Sequence, residues 1–188
     1  MPTIFHSPDS RSDGVMTLLR LMGVADDYEI REVTIPRQDG SGARDPANPH
    51  PEGKVPYLVD GADHVRERGA IMLWLTDRHD SPLGRPVGHP QRGRYLSWLF
   101  HYQGVMEPVM ILDWVGIAHP AIQASLRDMP TAMAQLEAAL AQGPFLLGQE
   151  FSAADILCSG VFLWFGDQME LSPAVRDWAA RCGARMAD

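Results

Sequence analysis

Three hydroxyls stand close together near the start of the chain: Ser7, Ser10 and Ser12, in the stretch Phe5-His-Ser-Pro-Asp-Ser-Arg-Ser12. The stretch joins a short β-prone run to a helical pattern, and it holds no Tyr or Cys. A hydroxyl at a helix N-terminus can donate to an anion, and the helix dipole favours negative charge there. The same serines also suit a plainer role, with Ser12 capping the helix and the others forming the turn. A second chemical feature is Lys54, the only lysine among 16 cationic residues. A third is Ser152-Ala-Ala-Asp155, flanked by Phe151 and Ile156. It reads as a capping box with its hydrophobic staple, a helix start and nothing more. Cys158 and Cys182 form no C-x-x-C pair and show no metal-ligand spacing with His, so neither a disulfide framework nor a metal site is expected.

The elements that must position these residues fall into two halves. Thr3–His6 reads as a strand closed by Pro8. Val15, Leu18, Leu19 and Met22 form the apolar stripe of a helix, ended by Gly23. Tyr28–Ile35 alternates as a strand, and residues 37–54 are a long Gly/Pro-rich loop. Strands over Val55–Val59 and His64–Arg66 flank the turn Gly61-Ala-Asp63, and Ala70–Arg78 is helical. The order βαβ-ββα predicts a small mixed sheet, α/β and thioredoxin-like, over residues 1–79. Residues 80–90 are rich in Pro and Gly and read as a linker. Residues 91–188 are expected to be all-helical: Arg94–Val115 with a bend near Pro108, then Ala121–Ala141, Ala153–Phe165 and Ala174–Arg185.

The chain has 188 residues, 45% hydrophobic and 21% charged, the composition of a globular protein. Its net charge is −8 and it has no basic stripe, which excludes a nucleic-acid binder. No apolar run approaches the ~20 residues of a membrane span. The N-terminus lacks a basic region followed by an apolar core, and the two unpaired cysteines fit a reducing compartment, so a cytoplasmic location is expected.

Four segments, in this order and spacing, resemble the soluble (cytosolic) glutathione S-transferase family. They are the strand and serine turn Phe5–Ser12, Asn48-Pro-His-Pro-Glu-Gly-Lys-Val-Pro56 (similar to N-P-x-G-K-V-P), Glu67-Arg-Gly-Ala-Ile71 (similar to E-S-x-A-I) and Phe151-Ser-Ala-Ala-Asp155-Ile. The resemblance implies a bacterial homodimer with a thioredoxin-like domain followed by a helical one. It implies detoxification chemistry: the thiol of glutathione, pKa ~8.5 when free, is turned into a thiolate and attacks a small hydrophobic electrophile. Glutathione is then a co-substrate, with no metal or organic cofactor.

By position, Ser10 matches the catalytic serine of theta- and phi-like members. Ser7 matches the tau-like placement, and Ser12 falls near the cysteine of zeta-like enzymes. Arg11 occupies the approximate cysteine position of the beta class, so the chain resembles the serine types. Family likeness makes Val55–Pro56 cis, with Val55 pairing to the cysteinyl backbone. It assigns Lys54 to the glycyl carboxylate and Glu67 to the γ-glutamyl amine. Arg68 replaces the family's serine. It keeps the backbone amide for the γ-glutamyl carboxylate, and its guanidinium either binds that carboxylate or fills the pocket. Trp98, Tyr102 and Met106, four residues apart, are the candidates for an electrophile pocket or for core packing. Two other readings stay open: a catalytically degenerate binding or scaffold protein, and a glutathione-dependent disulfide reductase.

Overall fold

The computed structural model describes residues 1–187 and divides into two compact units, Met1–His79 and the remainder from Asp80. The first unit runs β1 (Thr3–His6), α1 (Asp13–Met22), β2 (Glu29–Glu32), β3 (Tyr57–Asp60), β4 (Asp63–Val65) and α2 (Arg68–Arg78). The sheet order is β2-β1-β3-β4. α1 crosses between the parallel strands β1 and β2, and β3 and β4 complete the sheet in antiparallel fashion. Ile4 pairs with Leu58 and neither side chain is exposed. α1 and α2 pack together and contribute Val15, Leu18, Leu19, Ile71, Met72 and Leu75, all fully buried. Alternation along the strands sends Phe5 and Tyr57 to the opposite face, where they cluster with Val33.

The strands are shorter than their β-branched runs suggest. β2 pairs only while β1 lies beside it. After the Val33 amide bonds the His6 carbonyl (2.8 Å), the Thr34 amide turns to the Asp45 carboxylate instead (3.2 Å). α1 ends on Gly23 in the left-handed conformation, as its position in the sequence requires.

The second unit is helical: α3 (Arg92–His101), α4 (Glu107–Trp114), α5 (Pro120–Leu126), α6 (Met129–Leu140), α7 (Ala153–Phe165) and α8 (Pro173–Ala187). One expectation is refined and one is corrected. The long helix expected over 94–115, with a bend near Pro108, carries a π-helical turn at Tyr102–Met106, just before Pro108. Pro108 has no N–H for the Gly104 carbonyl, so regular α pairing fails upstream of the ring. The single helix expected over 121–141 is two. Arg127 adopts φ 76°, Asp128 caps α6 by accepting from the Thr131 amide (2.9 Å), and Pro130 sits in the first turn.

Residues 80–90 are fastened into this unit. Arg85 is buried and donates to the carbonyls of Pro82 and Gly84, to Gln91 and to Glu150.

Candidate functional site

Sheet register gathers the sequence candidates of the first unit. His6 pairs with Glu32, Phe5 with Tyr57 and Leu58 with Val65. The C-terminal ends of β1, β2 and β4 and the start of β3 therefore share one end of the sheet. The serine turn, the 33–37 segment, Lys54–Pro56 and Arg66–Arg68 all emerge there.

Ser12 is the hub of the turn. It is completely buried, and its hydroxyl lies 2.7 Å from both His6 Nδ1 and Ser10 Oγ. It also contacts the Ser7 amide (3.2 Å) and the Ser7 carbonyl (3.1 Å). The capping role considered for Ser12 is not what its side chain does: it makes no cap bond to α1. Ser10 Oγ accepts from the Ser12 amide (3.1 Å), and the Ser10 amide donates to Asp13 (3.2 Å). Ser7 is also buried, and its hydroxyl accepts from Arg37 (3.2 Å).

Arg37 further donates to the carbonyls of Pro8 (2.6 Å) and Asp9 (2.7 Å), bracing a turn in which Asp9 has φ 53°. Nothing in the sequence distinguishes Arg37 from the other arginines; only the parallel β2–β1 pairing brings it there. In the sequence His6 reads only as the last strand residue. Burial lowers its pKa, against the pull of Asp13 and Glu32. Asp13 is shifted upward, also by burial, with the Ser10 amide opposing.

The neighbouring loop carries the cis Val55–Pro56 bond. Pro56 is buried, Val55 is half-buried and Lys54 is exposed. Asn48, itself buried, holds this loop by donating to the Lys54 carbonyl (3.0 Å) while accepting from the His50 amide (3.0 Å). The His50 ring accepts from the Glu52 amide and packs edge-on against Tyr57. Glu67, at φ 67° and ψ 127°, precedes α2 without capping it through its side chain. A non-glycine residue held in this region is a costly conformation that concentrates at binding sites. Arg68 is the first residue of α2, where backbone amides favour an anion.

In the second unit, Trp98 is half-buried and stacks edge-on with His101, whereas Tyr102 and Met106 are sealed at 1% and 0% exposure. Tyr102 and Met106 are therefore core packing, and of the three only Trp98 keeps exposed surface. The capping box at α7 forms and does more than start a helix. Asp155 accepts from the Ser152 amide (3.0 Å), the Ser152 hydroxyl (2.9 Å), the Leu146 amide (2.9 Å) and the Trp178 indole (3.0 Å). It thereby ties α7 to the preceding loop and to α8. Cys158 and Cys182 are buried, and burial pushes the Cys182 thiol up. Among the described residues no cluster of His, Cys, Asp and Glu could hold a metal ion, and no helix is long and apolar enough to cross a membrane.

A βαβ-ββα unit with a serine turn and an X-Pro loop at one sheet end, followed by a helical unit, defines a recognisable class. The sequence matches the model of the glutathione S-transferase N-terminal domain over residues 4–84 and that of the C-terminal domain over residues 120–181. The protein belongs to the glutathione S-transferase family.

Among solved structures it is similar to a glutathione transferase from Methylococcus capsulatus strain Bath (27% identity, TM-score 0.76), covering 100% of this chain and 98% of that one. It is similar to a sphingomonad glutathione S-transferase complexed with glutathione (25% identity, TM-score 0.71, 98% and 97% covered). It also shares its fold with a beta-class glutathione S-transferase of Sphingomonas chungbukensis (23% identity, TM-score 0.69, 98% and 97% covered). No curated protein matches the chain.

Proposed function

We propose that the protein is a glutathione transferase of the serine type, in which Ser10 donates a hydrogen bond to the sulfur of glutathione and stabilises the thiolate for attack on a small hydrophobic electrophile. The observation that carries the choice of Ser10 is the state of the three hydroxyls. Ser12 is fully buried with four polar neighbours, and Ser7 is held by Arg37. Ser10 is the most exposed of the three, at 8%. A donor to sulfur at the start of α1 favours the anion through both the hydrogen bond and the helix dipole.

Glutathione lies along the same sheet end. Val55 receives the cysteinyl backbone, and Lys54 faces the glycyl carboxylate. Glu67 takes the γ-glutamyl amine, and the α2 amides with Arg68 take the γ-glutamyl carboxylate. Trp98, alone of its trio in keeping exposed surface, is the side chain proposed for the electrophile. The proposed assembly is a homodimer in a reducing cytoplasm, acting in detoxification without a metal or organic cofactor.

The test is glutathione affinity, by calorimetry, of the wild type and of Arg68→Ser. Millimolar or tighter binding by the wild type is the expected result. Absence of wild-type binding together with gain of binding in Arg68→Ser would make the chain a degenerate member that binds or scaffolds instead. Activity that survives Cys158→Ser with Cys182→Ser but is lost in Ser10→Ala eliminates a protein-thiol reductase.

A further inference from the structure

The hydrogen-bond valences around Ser12 determine more than its burial. A serine hydroxyl has one proton and two acceptor lone pairs. The Ser7 amide, a fixed donor at 3.2 Å, occupies one lone pair of Ser12. The contacts to His6 Nδ1 and to Ser10 Oγ, both 2.7 Å, each need a proton between their atoms. Were Ser12 to give its proton to the Ser7 carbonyl at 3.1 Å, it would have to accept three hydrogens on two lone pairs.

Two arrangements remain. In one, His6 donates to Ser12 and Ser12 donates to Ser10. Ser10 then accepts from both the Ser12 hydroxyl and the Ser12 amide (3.1 Å), its lone pairs are filled, and its own proton is left to point out of the cluster. In the other, Ser12 donates to His6, and the Ser10 proton is consumed on Ser12. Only the first leaves Ser10 a donor.

We infer that His6 is a positioning residue: with the proton on Nδ1 it polarises the chain His6→Ser12→Ser10 so that the Ser10 hydroxyl is aimed outward at an anionic sulfur. The inference rests on the transferase reading and deepens it. The neutral Nδ1–H tautomer suffices, so no charge is required on a ring whose burial disfavours one. The charged groups facing it, Asp13 with Oδ1 4.0 Å from Nδ1 and Glu32, both favour a protonated nitrogen. The chain of hydrogen bonds transfers no proton itself; the thiol proton of glutathione leaves to solvent, and the Ser10 hydroxyl stabilises the anion left behind.

The polarity is read in two ways. Nitrogen NMR of histidine-labelled wild type is expected to show His6 protonated at Nδ1; a bare Nδ1 near neutral pH, with glutathione present or absent, overturns the inference whether or not glutathione binds. The pKa of bound glutathione is then followed by thiolate absorbance in three variants of similar size. His6→Asn presents an N–H to Ser12 and should hold the thiol pKa near wild type. His6→Leu presents nothing and should lower the thiolate fraction about threefold, and His6→Asp presents only an acceptor and should lower it about tenfold.

A charge effect alone would make Asn and Leu alike; a packing effect alone would make Asn and Asp alike. Either result overturns the inference, as does any other order. Binding of S-methylglutathione, which has no thiol proton, should be unchanged in all three. Failure of the wild type to bind either peptide defeats the transferase reading instead, and the nitrogen spectrum still decides the hydrogen-bond direction.

Discussion

α1 and α7 begin with the same chemistry, a serine and an aspartate at a helix N-terminus, and they put it to different ends. At α7 the carboxylate of Asp155 is completely buried and accepts from four donors on three segments. At α1 the Asp13 side chain is 38% exposed, and it accepts from the Ser10 amide. There the buried hub is Ser12, and its hydroxyl chain has two possible directions, one of which leaves a donor over. A helix start whose valences close on themselves acts as a rivet. One whose proton count leaves a hydroxyl free to turn is suited to meet a ligand.

The largest effect expected from breaking this contrast is at the rivet. Asp155→Ala strips acceptors from the Leu146 and Ser152 amides and the Trp178 indole, and should lower unfolding free energy by about 4 kcal/mol, read from the urea midpoint. The equivalent truncation at α1 should invert the pattern. Ser10→Ala should lower kcat for a small aromatic electrophile about 100-fold, as loss of one preorganised donor does, while unfolding shifts by about 1 kcal/mol or less.

Smaller still is Lys54→Ala, which removes one exposed charge from the rim. Glutathione affinity should weaken about fivefold, with kcat retained, and more weakly at high salt.

The smallest effect is in pH dependence. Burial lowers the His6 pKa below its usual 6.5, so the unfolded chain binds more protons through that window, and stability rises with pH. The contribution is complete above about pH 6.5 and is lost as pH falls through the folded value. His50 and His101 are shifted the same way by burial. His6→Asn should therefore shallow the acid side of the stability profile without flattening it.

Legibility in the sequence followed the range of the physics. α1 and α7 were readable because a stripe, a left-handed glycine and a capping box are local signals. The break between α5 and α6 carried one too, since Asp128 and Pro130 form a start signal inside the apolar pattern, and the periodicity masked it. Strand ends are not legible in the sequence, because a strand stops where its partner stops, not where its β-branched residues do. Ser10, Val55, Glu67 and Arg68 were marked by the motifs that carry the family resemblance. His6, Arg37 and Asn48, which orient and brace them, did not, because each acts on a residue from another segment or across a loop.

Residue type and order by themselves therefore determined the two-unit plan, the start of α7, the end of α1 and the motifs that carry the family resemblance, each a signal spread over a few residues. The tertiary structure alone decided which of three similar hydroxyls is sealed, which is braced by an arginine and which is the most exposed. A hydroxyl's direction depends on the count of donors and acceptors around it, and at this turn that count is completed only when β1, its parallel neighbour β2 and the start of α1 are brought together.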